Sequence, residues 1–182
     1  MASQWVSVDE QLGYITPGVT DAGVTINSSV VSRYAVGTIA QFRDVGTTQL
    51  GSGEFIWLPG VASTIVGSWV SFTTSSGTSN TGSTTLWAGT AATPFPLAVA
   101  TVANTASTTW AWYQISGSAI CATSGTIAAG NPAAWQAAGV VQGTAVSTKN
   151  VIGAIAESAN GVPATNQAIY YLQRPSANAS TA

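Results

Sequence analysis

The sequence predicts an all-β domain, a barrel or sandwich with an extended N-terminal arm, and three observations carry that prediction. From Arg33 onward, short runs of apolar residues recur between turns of Gly, Ser and Thr. Those runs are rich in β-branched and aromatic side chains, which fit a pleated sheet better than a helix. The one alanine-rich piece that favours a helix, NPAAWQAAGVVQG, holds Pro132 and Gly139. Those two breakers leave room for only about one and a half turns, so the segment reads as strand, turn and strand.

Taken in order, residues 1–32 form the arm. They carry few large aliphatic side chains and are broken by Gly13, Pro17, Gly18 and Gly23. The short β-like piece VTINSSVV within them suits strand addition to a neighbour, with Val24, Ile26 and Val30 setting the register. On this reading the arm becomes ordered only in an assembly. The core spans residues 33–175, with strands at YAVGTIAQF, EFIWLPG, SWVSFT, PLAVATV, TTWAWYQIS, AICAT, VIGAIAES and AIYYLQR. Residues 74–86, TSSGTSNTGSTTL, have no periodicity and read as a mobile surface loop. Residues 176–182 read as a flexible tail. VGTIA at 36–40 and IGAIA at 152–156 are alike, but so short a match is as well explained by chance as by duplication.

The run TTWAWYQISG, residues 108–117, sets the central problem. Side chains alternate along a strand, so Trp110 and Trp112 share one face while Ala111, Tyr113 and Ile115 share the other. Both faces are apolar, and a sheet with one face in water would not be. Composition bears on what covers the second face. The chain has 182 residues with 4 Lys+Arg and 6 Asp+Glu, so 5% are charged against about 25% in ordinary soluble domains. Charge keeps monomers apart, and its scarcity favours a chain that packs against others. The expectation is that one face of this strand lines the core and the other meets a neighbouring subunit, with Trp110 and Trp112 on one face and Tyr113 on the other as the interface candidates.

The same composition removes most chemistry. The sequence has no histidine, which excludes Ser-His-Asp, Cys-His and histidine-zinc mechanisms. Cys121 is the single cysteine, so no internal disulfide or multi-cysteine metal site exists, and it reads as a small buried hydrophobe. Lys149 in STKN lacks a phosphate loop before it, and GSGEFI lacks the third glycine of a dinucleotide motif. Arg33, Arg43, Lys149 and Arg174 are scattered, which gives nucleic acid no basic patch. No run of about 18 apolar residues marks a membrane span, and MASQWVSVDE has no signal-peptide pattern. Glu54 and Glu157 are the one carboxylate pair on strand-like core segments that a glycosidase would need. A non-enzymatic protein without metal or cofactor is expected. Indoles on a β-scaffold also suit a carbohydrate-binding module, with Trp57, Trp69, Trp87, Trp110, Trp112 and Trp135 as candidates. Most of these lie inside strands, where packing is the commoner use.

Three segments, GSGEFIWLPGVASTIVGSWVSF, TTWAWYQISGSAI and VIGAIAESANGVPATNQAIYYLQRP, resemble in sequence and order the capsid cement or decoration proteins of tailed bacteriophages. The resemblance covers about residues 33–175. Trp57 replaces a usual Tyr, Pro59 a usual polar residue and Ser68 a usual acidic one. The resemblance implies a small β-barrel or β-tulip that trimerises on the outside of an icosahedral head, with the major capsid protein as partner, the virion surface as location and no catalysis. The alternative is a carbohydrate-binding β module of a phage fibre or surface protein.

Overall fold

Each of the eight runs read as strands overlaps one, and NPAAWQAAGVVQG forms the expected strand, turn and strand. The computed structural model describes residues 5–8, 24–26, 29–75, 82–89, 95–104 and 106–178, and among them there is no helix. All pairings are antiparallel within two main sheets. The larger has the order β1 (Trp5–Ser7), β4 (Ile39–Asp44), β5 (Ser52–Pro59), β9 (Trp110–Gln114), β8 (Leu97–Ala100), β6 (Trp69–Thr73), β7 (Ser83–Leu86). The smaller has the order β10 (Ser116–Ala122), β14 (Gln167–Ala177), β13 (Asn150–Ala156), β11 (Pro132–Ala137), β12 (Val140–Gln142). A separate hairpin joins β2 (Val24–Ile26) to β3 (Ser29–Val31). The chain therefore completes the first sheet up to Gln114, turns at Ile115 and builds the second from the remaining residues.

In its middle, the larger sheet is buried on both faces by this chain alone. On one face, Trp5, Phe42, Phe55, Trp57 and Trp112 form an aromatic cluster that Tyr34 joins from the preceding loop. Its rings meet at centroid separations such as 5.2 Å for Trp57 and Trp112 and 5.3 Å for Phe42 and Trp112, within the range where edge and tilted contacts are favourable. On the other face, Ile56, Leu58, Val70, Phe72 and Tyr113 form a second cluster. The sheet curls over it, bringing Gly37 against Thr74, and Gly82 against Val36. No ladder among the described residues closes the curl into a barrel.

A third cluster fills the space between the sheets. Trp69, Leu97 and Val99 from the larger meet Cys121, Tyr170 and Leu172 from the smaller, with the rings of Trp69 and Tyr170 edge-on at 6.2 Å. The smaller sheet curls as well, until Thr123 beyond β10 forms an isolated parallel bridge with Val141 of β12. Gln114, 1% exposed, lies where the chain passes between sheets, and its Nε2 donates to the carbonyls of Ser116 and Ser118. That buried amide fixes the corner into β10.

Three expectations about the ends and loops are corrected. Residues 83–86 of the supposed surface loop form β7, held to β6 by hydroxyl pairs such as Ser71 Oγ and Thr85 Oγ1 at 3.0 Å. Ser176 and Ala177 of the supposed tail end β14, and Ala177 is buried. The first part of the arm is not free either, because β1 pairs with β4 and Trp5 is 3% exposed in the aromatic cluster. Ser32, at the arm's end, accepts a hydrogen bond from Trp57 Nε1 at 2.6 Å. Deleting residues 2–32 is accordingly expected to lower stability by about 3 kcal/mol or more, chiefly through loss of Trp5. A thermal melt of the truncated chain checks this, and an unchanged midpoint would show β1 to be dispensable.

Candidate functional site

The six residues expected at an interface divide into three groups. Trp112 and Tyr113 are each 1% exposed, so both faces of β9 are covered from within one chain. The expectation of a neighbouring subunit over this strand is thereby corrected: alternation gave the faces properly, and the cover comes from Tyr34 on one side and the sheet's own curl on the other. Trp110 is half-buried at the margin of the aromatic cluster. Val24, Ile26 and Val30 lie in the hairpin, where β2 and β3 pair with each other, Val24 opposite Val31 and Thr25 opposite Val30.

Glu54 and Glu157 do not converge. Glu54 forms a forked ion pair with Arg174, at 3.2 Å to Nε and 3.4 Å to the terminal nitrogen. Glu157 binds through its backbone opposite Ile169, five positions away along β14. That places the two sites about 16 Å apart at strand rise, beyond the separation of either glycosidase class. Burial pushes the Tyr113 phenol up to about 12, partly offset by a hydrogen bond from the Val61 backbone, and the Tyr170 phenol and Cys121 thiol are also raised by burial. All three stay protonated at neutral pH and are enclosed, which suits packing rather than proton transfer.

The indoles offer no open platform. Trp57, Trp69, Trp87 and Trp112 are buried, including Trp87, which directly follows the segment 74–86 read as a loop. Trp135 is half-buried between Gly89 on one side and the Lys149 ammonium 4.2 Å from the ring centroid.

The smaller sheet presents a surface that the sequence did not mark as exposed. On its outer face Ile152 is 58% exposed, Ile155 48% and Tyr171 41%. Ile155 stands directly opposite Tyr171 on β14 and opposite Pro132 on β11, so the apolar side chains run across three strands. A bulge between Ile152 and Ala154, with Gly153 at φ +77°, returns Ile152 to the same outer face. Scattered exposed aliphatics are ordinary, and what distinguishes these three is that they share one face of the smaller sheet.

No family model matches the chain, and no curated protein or solved structure matches it either.

Proposed function

We propose that this chain is a phage capsid cement protein, which binds the outer face of the major capsid shell as a homotrimer and stabilises it by bridging neighbouring subunits. The observation that carries the reading is the uncharged strip of Ile152, Ile155 and Tyr171 on the outer face of the smaller sheet. Such a strip gains free energy by meeting another protein surface and does nothing for catalysis. The scarcity of charge and the ordered sequence motifs agree with it. In this reading the two curled sheets make up a barrel- or tulip-like body, the strip serves the contact between copies, and the virion surface is the place of work.

The test is sedimentation velocity on the purified protein, together with decoration of heads that lack it. A trimer that decorates heads is the expected result. Ile155→Asp is expected to shift the population towards monomer while leaving the melting midpoint nearly unchanged, because the residue is outside every core cluster. A monomer at high concentration that leaves heads bare would overturn the reading. If that monomer bound immobilised glycans, it would move the chain to the carbohydrate-binding class.

A further inference from the structure

The face of the larger sheet that carries Ile56 is covered in its middle and open at its β1 end. There the residues fall in rows across three strands. Val6 stands opposite Arg43, which stands opposite Ser52. In the next row the Val8 N–H donates to the Gln41 carbonyl, and Gln41 stands opposite Glu54. Two cavities run on from each other along these rows and share Ser52. One, of about 410 Å³, is bounded by Val6, Val8, Arg43 and Ser52. The other, of about 280 Å³, is bounded by Gln41, Ser52, Glu54 and Ser116. Together they make a furrow about 10 Å long across the three strands, the length of about three extended residues.

Its two charged lining residues, Arg43 and Glu54, do not pair with each other. Both oxygens of Glu54 are turned to the Arg174 fork, at 3.2 and 3.4 Å, so neither serves Arg43. Arg43 has no carboxylate partner among the described residues. Among the described residues, the furrow's lining thus offers one guanidinium without a carboxylate, while its one carboxylate is taken up by Arg174 from outside the lining, in a chain with only 4 basic residues in all. Beside the free guanidinium stand Val6 and the 55% exposed Val8. We propose that this furrow receives an extended segment of a partner protein carrying an acidic side chain between apolar residues. The carboxylate takes the planar fork of Arg43, which matches it in two parallel hydrogen bonds, and Ser52 supplies a further donor. The flanking apolar side chains lie on Val6 and Val8. Because the second cavity continues past Ser52, the segment passes through, and an internal Glu or Asp rather than a chain terminus fits. The proposal rests on the shell-binding reading for the source of the segment, namely the capsid protein.

The test uses the full chain and a capped peptide, acetyl-Thr-Val-Glu-Val-Thr-amide, with the Arg43 Nε–H resonance as reporter. A saturable shift is expected with the Glu peptide, and binding about tenfold weaker when Gln replaces Glu in the peptide or when the protein is Arg43→Gln. Arg43→Lys is expected to retain part of the affinity, since it keeps the charge and loses the fork. Equal binding of the Gln peptide, no saturable shift, or unchanged affinity of Arg43→Gln would overturn the furrow. Decoration of heads by a protein that ignores the peptide overturns the furrow alone. Peptide binding by a protein that leaves heads bare overturns the shell reading alone.

Discussion

Replacing Trp112 by alanine is expected to destabilise the protein by about 3–5 kcal/mol, the largest loss from any single truncation in the aromatic cluster. The ring meets Tyr34, Phe42 and Trp57 at once, so its removal leaves a cavity bounded by three aromatic groups that cannot collapse together. Its indole nitrogen has no hydrogen-bond partner in the fold, so truncation forfeits packing and no polar contact. Trp110→Ala, at the margin of the same cluster, is expected to cost less than half as much. Chemical denaturation of the two variants side by side checks the ranking. Equal losses would mean that β9 does not hold the depth difference seen between these two indoles.

Gly67→Ala is expected to be as damaging, by another route. Gly67 adopts φ +89°, a conformation that side chains other than glycine rarely take. A β-carbon there would press on the Ala122 backbone nitrogen and stand 2.8 Å from the Cys121 carbonyl carbon. Those atoms belong to β10, and they cannot swing away as a side-chain tip would. The Gly67 N–H donates to Ala100 on β8, and its carbonyl accepts from Ala122 on β10, so this residue ties the backbones of the two sheets. Strain and lost hydrogen bonds together are expected to exceed about 3 kcal/mol. The decisive measurement compares Gly67→Ala with Gly125→Ala. Gly125 also has positive φ, at +77°, but open space around it, so only the conformational part of the loss should remain. If both variants melted alike, the contact with β10 would carry no cost.

The strands were legible because their apolar and β-branched runs are bounded by Gly, Ser and Thr. The short ones were not. β1 is three residues, WVS, with no turn signal before it, and its place is decided by one buried indole. β7, STTL, has a single large apolar residue, and its pairing with β6 is visible only once Ser71 and Thr73 face Thr85 and Ser83 across the ladder. Period-two alternation told which residues of TTWAWYQIS share a face. It carries no information on what lies above that face, and here the answer depended on Tyr34 and on curl, both non-local. The furrow was illegible for the same reason, since Val6 is remote in sequence from Arg43 and Ser52 and the three become a row only through two ladders. The ion pair of Glu54 with Arg174 spans 120 positions, and no local pattern marks it.

The division of the chain at Ile115 has a consequence for biosynthesis. The seven strands of the larger sheet all precede that residue and the five strands of the smaller all come after it. On a ribosome, the first sheet is complete while Trp69, Leu97 and Val99 still await Tyr170 and Leu172. At about 5–20 residues per second, the roughly 60 remaining residues take about 3–12 s to appear. Throughout that interval a nascent chain displays a bare aromatic and aliphatic face, with few charges to discourage neighbours on the same polysome. The order of translation thus makes the late-emerging β14 the strand that ends the exposure, and a chain stalled before it is the form a chaperone or protease would meet.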